Sequence, residues 1–412
     1  MKKNVWIMNH YATEMFDNKG GRHYNFVKYL TKKGYSPTIF CSNVYHKDAK
    51  SIDLDNKKYK ITEDENTKMV YIKTTEYTEN GLDRVKNMVI FAKNLVSQSK
   101  FIGKQQKPDI ILASSVHPLT CVAGVFIAKR YKVPCIVEIR DLWPESIVEY
   151  SSKFTKKHPL IKILYQGEKW MYKKADKIIF TMQGGEDYIK GQGWDKYIDL
   201  SKVYHINNGL DIETFEFNKS NFQIRDDDLE NDDIFKIVYT GSIRKANDLG
   251  ILLDTAKEIT NPKIKFLIWG GGDELEQLKQ RVIDENIINV HFKGLVEKKY
   301  VPYILSRANL NILHYKYTNI FKFGTSQNKN FEYLASGKPI LNTIKINYDI
   351  VLKNEAGYSL EIQTTDTIKE AILKIYSNEN SQEKMSGNAI KTAKEYDFKV
   401  LTDKLIEIIE SA

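Results

Sequence analysis

The segment FGTSQNKNFEYLASGKPIL at 323–341 carries the densest set of groups suited to a nucleoside diphosphate. Thr325, Ser326, Gln327 and Asn328 are small or polar and suit a helix start, where free backbone N–H groups and the helix dipole receive an anion. Lys329 and Glu332 stand three residues apart and so share one helical face, and Gly337 reads as the C-cap. Phosphates would rest on the helix start, and hydroxyls on Glu332; an ordinary ion pair is the competing reading. In YTGSIRKANDLG (239–250), an apolar strand ends in a small turn holding Ser242, and Arg244 and Lys245 follow just ahead of a helix. Fixed cations there suit a diphosphate, against the plainer reading of a solvated basic turn. IWGGGDELEQL (268–278) puts Gly270, Gly271 and Gly272 after another apolar strand, which lets a ligand approach the backbone closely.

Three constellations lie in the first half. In NHYATEMFDNKGGRHYNFVKYL (9–30), Gly20 and Gly21 open a helix after a strand and loop. The pattern is not G-x-G-x-x-G and no acidic residue ends the next strand, which disfavours a dinucleotide site. Arg22 and His23 beside it read as surface residues. His117 directly follows the strand DIILA, at the end of a parallel sheet where catalytic groups are presented, and Pro118 suits the first turn of the next helix. In EIRDLWPES (138–146), Glu138, Arg140, Asp141, Glu145 and Ser146 cluster around a Trp-Pro pair at another strand end.

The elements that would hold these groups alternate between short β-rich runs and helical patterns, the mark of parallel α/β layers. At 412 residues the chain exceeds a single core, so two doubly wound domains are expected, 1–206 and 207–387. A final helix is expected over 381–411, with 388–412 packing back on the first domain. The acid-rich stretch NKSNFQIRDDDLENDD (218–233) reads as a solvated loop, so its Asp226 and Asp228 are not a metal pair. The composition, 42% hydrophobic and 28% charged with 9 Pro, excludes a disordered or collagenous chain. Three scattered cysteines, Cys41, Cys121 and Cys135, read as buried thiols in a reducing compartment. No run reaches membrane-spanning length, and the basic N-terminus, with its short apolar run, reads as a first buried strand. Residues 1–206 carry a net charge of +13 and 207–412 a net charge of −4, so the two halves are expected to meet different partners.

Taken in order, GGRHY (20–24), VHP (116–118), NNGLD (207–211), YTGS (239–242), GGGDELEQL (270–278) and SQNKNFEYLASGKPI (326–340) resemble a GT-B glycosyltransferase of family 4. GGRHY with RDLWPES is most similar to bacterial transferases of O-antigen and capsule assembly, including N-acetyl-L-fucosaminyl transferases. The resemblance implies two facing Rossmann-like domains with a cleft between them and retaining transfer from a UDP-sugar. It implies no cofactor and no metal. Glu332 matches the second Glu of the family's E-x7-E motif, which binds the ribose; the first would fall at Gly324 and is missing. Its work would pass to backbone or to Ser326, Asn328 or Lys329. His117 matches the active-site His, Gly20 and Gly21 match the diphosphate-facing loop, and Arg244 or Lys245 matches the diphosphate cations. Front-face attack would follow, the leaving phosphate taking the acceptor proton and Asp141 or Glu145 orienting the acceptor.

Residues 151–175 hold seven Lys against one Glu, interleaved with Ile161, Ile163, Leu164, Trp170 and Met171. This reads as a basic amphipathic segment for an anionic membrane, equally as an ordinary surface helix. It fits a lipid-linked saccharide acceptor on a polyprenyl diphosphate and a cytoplasmic, peripheral location on the inner face of the bacterial membrane. The rival readings are a nucleotide-sugar epimerase on the same fold, a basic nucleic-acid-binding protein and a non-catalytic sugar-nucleotide sensor. No helix-turn-helix or RNP-type motif supports nucleic acid as a partner.

Overall fold

The computed structural model describes residues 3–46, 50–64, 67–79, 81–151 and 153–412. The chain divides into two units: one runs to Asn207 and takes in Phe398–Ala412, and the other is Asn208–Asp397.

The first unit is an eight-stranded sheet among the described residues, in the order β3-β4-β2-β1-β5-β6-β7-β8. The strands are β1 Asn4–Met8, β2 Ser36–Ser42, β3 Tyr59–Asp64, β4 Thr67–Ile72, β5 Ile110–Ser115, β6 Cys135–Ile139, β7 Lys177–Phe180 and β8 Val203–His205. β5 and β6 are buried along their whole length, as apolar runs covered on both faces must be. Only β3 runs antiparallel; it was not expected, because its polar sequence YKITED suits an edge strand and carries no apolar run. β1 has β2 on one side and β5 on the other, so the strand order reverses between β1 and β5. Open α/β sheets form their ligand crevice at that point, beyond the C-terminal strand ends.

The core joins Val5, Ile7, Phe26, Leu30, Ile39, Ile110 and Ile136 with Phe398, Leu401, Leu405 and Ile408. The last four come from the terminal helix Phe398–Glu410, which packs on the helix Arg22–Lys32, Phe398 meeting Phe26 edge to face at 5.6 Å. The single helix expected over 381–411 is two helices, Glu379–Glu395 and Phe398–Glu410. At the break, the Tyr396 carbonyl accepts from Leu210 N at 3.1 Å, a tertiary bond in place of the helical one. All three cysteines are free and buried.

The second unit is a six-stranded, wholly parallel sheet among the described residues: β9 Phe235–Thr240, β10 Ile264–Trp269, β11 Val290–Gly294, β12 Leu310–Leu313, β13 Ile340–Asn342 and β14 Gly357–Ser359. Its order is β11-β10-β9-β12-β13-β14, reversing between β9 and β12. β14 has three residues, too short for a pattern. The stretch 218–233 is solvent-facing as expected, but it is not all loop. The helix Ile212–Asn221 runs into it, and Asp226 caps a turn of helix at Leu229 N, 2.9 Å. Lys293 Nζ donates to Asp226 at 2.7 Å and to Asp228 at 2.8 Å, and Lys265 reaches Asp228 at 3.2 Å. Lys293 and His291 sit two apart on β11 and so face the same side, where they compensate the acidic cluster. Burial opposes ionisation of Asp228, but these donors hold it well below the usual carboxylate range.

The lysine-rich segment forms the helix Pro159–Lys174; Ser152 within it lies outside the described residues. Ile161, Tyr165, Glu168, Met171 and Tyr172 face inward, while Leu160 and Ile163 are exposed at 47% and 67%. Glu168 is buried and accepts from Tyr172 Oη at 2.6 Å and Tyr188 Oη at 2.7 Å. Burial pushes its carboxyl up to about 8, against the two phenolic donors. A raised carboxyl favours folding below the unfolded value and loses that contribution as pH rises through about 8. Glu168→Gln is therefore expected to flatten the fall in stability between about pH 4.5 and 8, on the order of 4 kcal/mol. Urea midpoints across that range check it; identical slopes in both proteins would refute it.

Candidate functional site

In the second unit a cavity of about 390 Å³ opens at the C-terminal strand ends. Thr240, Gly241 and Ser242 at the end of β9, Trp269, Gly270 and Gly271 at the end of β10, and Leu295, Val296, Lys298 and Val301 after β11 line it. Asn328, Lys329 and Glu332 of the helix Asn328–Ala335 close the wall. The floor is backbone. Gly241 N donates to Trp269 O at 2.9 Å, Ile243 N to Gly271 O at 2.9 Å and Gly270 N to Gly294 O at 2.8 Å. These loops touch so closely that a Cβ on Gly270 would lie 1.8 Å from Gly241 O, which is why glycine stands there.

Buried Tyr333 anchors the helix to β9, accepting from Thr240 N at 3.2 Å. The helix begins at Gln327 without a side-chain cap; Thr325 and Ser326 precede it, and Ser326 O accepts from Asn208 Nδ2 at 2.6 Å. Lys329 Nζ donates to Tyr239 Oη at 2.9 Å and lies 4.2 Å from the Tyr239 ring centre. Burial lowers this ammonium to about 8, with Glu332 partly opposing the shift. Glu332 lies on the same face and meets Lys298 Nζ at 3.4 Å. The surface thus offers the N–H groups of the uncapped helix start and the Lys329 ammonium for an anion, and the Glu332 carboxylate for hydroxyls.

Of the expected donor residues, Ser242, Gly271, Asn328, Lys329 and Glu332 line this cavity. Gly272 stands behind it, where a Cβ would meet Ile243 O at 2.1 Å. Arg244 and Lys245 do not line it. Both are exposed, and the helix they were expected to precede directly starts only at Gly250. Gly324, where a carboxylate would complete the motif, has φ 87° and is buried, a backbone state that a Glu would strain. Lys298, at the rim, was missed; its place in EKKY after β11 carries no signal apart from the strand end.

In the first unit, His117 and the missed His10 meet at the reversal between β1 and β5. His10 Nδ1 and His117 Nε2 are 2.6 Å apart, and both rings are fully buried. Burial lowers both imidazoles, His117 to about 3, and Arg84 adds to this. His10 follows β1 by two residues, the same address that singled out His117 after β5.

Arg22 and His23 are not surface residues: both are buried around Glu138. Arg22 Nε donates to Glu138 at 2.8 Å, and its two terminal nitrogens donate to Asn207 O at 2.6 Å and Ile206 O at 3.0 Å. His23 Nε2 lies 3.1 Å from Glu138, Ser114 Oγ donates to it at 2.8 Å, and Asn9 Nδ2 donates to His23 Nδ1 at 2.7 Å. Gly20 and Gly21 are half-buried just ahead of this helix, Gly21 as its N-cap with φ 92°. Asp141 is exposed. Glu145 is not available to orient an acceptor: it is buried, and its carboxylate meets Lys156 at 2.7 Å, Tyr165 Oη at 2.5 Å and Gln192 at 3.3 Å. Among the described residues, no group of three or more His, Cys, Asp or Glu is placed to hold a metal ion, and no helix is long and apolar enough to cross a membrane.

Comparison with known proteins agrees with this architecture. Residues 22–214 match the Glycosyltransferase Family 4 domain, and residues 220–392 match the domain described as Glycosyl transferases group 1. An uncharacterized glycosyltransferase of Methanocaldococcus jannaschii is 23% identical over 297 residues, 70% of this chain and 71% of that one. A poly(glycerol-phosphate) alpha-glucosyltransferase of Bacillus subtilis is 27% identical over 146 residues, 34% of this chain and only 20% of the relative's length. Among solved structures, sucrose-phosphate synthase from Thermosynechococcus elongatus superposes with a TM-score of 0.72 at 14% identity, covering 100% of this chain and 99% of that one. Anabaena HepE in complex with UDP superposes at 0.66 with 12% identity, covering 100% of both chains. With a family 4 domain in its first half, a group 1 domain in its second and two parallel α/β sheets to match, the chain is a glycosyltransferase of the GT-B fold.

Proposed function

We propose that the chain transfers a sugar, with retention, from a UDP-sugar to a saccharide carried on a polyprenyl diphosphate, in capsule or O-antigen synthesis. The observation that carries the donor half is the cavity at the C-terminal ends of β9 and β10, whose wall brings together Lys329, Glu332 and the start of their shared helix. The UDP complex of Anabaena HepE supports UDP as the nucleotide. Glu332 takes the ribose hydroxyls, while Lys329 and the uncapped helix start receive the diphosphate. As the sugar–phosphate bond breaks, these groups stabilise the charge developing on the leaving oxygen. That oxygen takes the acceptor proton as the new glycosidic bond forms on the same face. His117 is the imidazole offered to the reacting sugar, and exposed Asp141 orients the acceptor.

The likeness of GGRHY and RDLWPES to N-acetyl-L-fucosaminyl transferases supports an N-acetylated deoxyhexosamine as the transferred sugar. A panel of UDP-sugars including UDP-N-acetyl-L-fucosamine, with UDP-N-acetylglucosamine as control, is the test. It is read by thermal stabilisation and by acceptor-dependent UDP release in EDTA. Absence of stabilisation by UDP or any UDP-sugar would end the donor assignment. Release of UDP without acceptor, with conversion of the sugar, would favour an epimerase.

We also place the protein on the inner face of the bacterial cytoplasmic membrane. The support is Leu160 and Ile163, exposed on the helix Pro159–Lys174 among exposed Lys153, Lys156, Lys157 and Lys162. Each lysine near an anionic surface contributes about 1 kcal/mol. The protein is expected to float with phosphatidylglycerol vesicles at low salt and to lose this in high salt, and Leu160→Glu with Ile163→Glu should abolish it. Equal recovery with neutral vesicles would sink the idea.

A further inference from the structure

His10 and His117 form a closed pair with two loose ends. Their inner nitrogens, His10 Nδ1 and His117 Nε2, are 2.6 Å apart and share one proton. The outer nitrogens, His10 Nε2 and His117 Nδ1, are buried and find no partner among the described residues. Such a buried group costs stability for as long as it is unsatisfied. A neutral imidazole carries one proton, so the pair has only two arrangements. If His117 Nε2 holds the shared proton, His117 Nδ1 is a bare acceptor and His10 Nε2 is a donor. If His10 Nδ1 holds it, both outer roles reverse. Burial keeps both rings neutral, so neither arrangement is short-circuited by an imidazolium. The first arrangement makes both rings Nε2–H tautomers, the form a free histidine side chain prefers.

The surroundings fix the rings rather than the proton. His10 stacks on Phe91 at 4.1 Å with 5° between the planes, and on Tyr11 at 4.4 Å. His117 is the N-cap residue of the helix Pro118–Tyr131 without bonding its backbone, so its ring is left to His10. Adjacent parallel strands deliver both rings to the same sheet end, Met8 of β1 standing opposite Ala113 of β5.

We propose that His10 is a positioning residue that holds His117 as the Nε2–H tautomer, with its bare Nδ1 presented as a hydrogen-bond acceptor to a hydroxyl of the sugar or acceptor. This rests on the role given to His117 above. A hydroxyl bound there would donate to Nδ1, and no proton need leave the pair.

Two variants separate the hydrogen bond from the packing. His10→Phe keeps a ring against Phe91 and Tyr11 but removes the acceptor for His117 Nε2–H; His10→Gln restores an acceptor oxygen. With isotope-labelled histidine, long-range proton–nitrogen correlation spectra report which nitrogen of His117 carries the proton. The wild type is expected to show a protonated Nε2 and a bare Nδ1. His10→Phe should give mixed tautomers, with kcat for UDP release lowered about a hundredfold and KM for the UDP-sugar within about twofold. His10→Gln should recover the tautomer and most of kcat. A proton on Nδ1 of wild-type His117 would overturn the proposal. So would His10→Phe with unchanged nitrogen signals or kcat, or His10→Gln no better than His10→Phe. If no UDP-sugar is turned over, the donor reading fails on its own, and the nitrogen signals still decide the tautomer.

Discussion

Glu332→Ala is expected to remove most of the thermal stabilisation that UDP gives the wild type and to raise KM for the UDP-sugar about thirtyfold or more. Hydrogen bonds to a charged group contribute about 1.5–3 kcal/mol each, and a carboxylate facing a ribose accepts from two hydroxyls. The side chain lines the cavity from a helix that Tyr333 pins to β9, so its position does not depend on the ligand. The loss of Glu332 also frees Lys298, its partner at 3.4 Å, but that lysine is 76% exposed and the pair contributes little to folding. Stability without ligand should therefore stay within about 0.5 kcal/mol of wild type. This separates a binding defect from a folding defect. Unchanged UDP stabilisation in the variant would move the ribose site elsewhere.

Glu138→Ala is expected to destabilise the first unit by about 3–5 kcal/mol, the cost of leaving a buried charge without its partner. Arg22 would lose its Nε acceptor while still held by the carbonyls of Ile206 and Asn207, and His23 and Ser114 would lose theirs. Burial alone would raise the Glu138 carboxyl, but Arg22 and His23 hold it well below the usual carboxylate range. A depressed carboxyl lends stability above its unfolded value and loses it as pH falls below that, so the wild type should also lose more than the variant in acid. Hydrogen exchange of the buried amides of β1, β5 and β6 reads this unit alone, and the variant should exchange about two to three orders of magnitude faster. Glu138→Leu combined with Arg22→Met should recover part of the loss, since an apolar pair of similar size replaces a buried ion pair at little cost. Wild-type exchange rates in Glu138→Ala would show that the pair is not what holds these elements.

The order of strands and helices was largely readable, because parallel strands covered on both faces must be rich in apolar and β-branched residues, as FKIVYT of β9 and IILASS of β5 are. The turns that follow them were readable for a related reason: glycine at 270 answers a backbone clash with the carbonyl of Gly241, and Gly241 itself takes a positive φ of 145°, so both leave a mark in composition. Lys329 and Glu332 were placed together by the helical repeat alone. The acidic stretch at 218–233 was misread because its hydrogen-bond partners, Lys265, His291 and Lys293, sit on strands more than thirty residues away.

The amino-acid order alone thus set which segments become strands, which strand ends carry polar loops and which face of the helix Asn328–Ala335 meets the cavity, since each depends on residues within a few positions of one another. Which of those loops become neighbours was decided only by the parallel pairing of β1 with β5 and of β5 with β6. That pairing joins His10 to His117 across 107 residues and Arg22 to Glu138 across 116, and turns Arg22 and His23 from apparent surface residues into buried partners of Glu138. A charged or polar side chain is buried only when its partner arrives with it. The partner's identity is a property of sheet register, which no local pattern encodes.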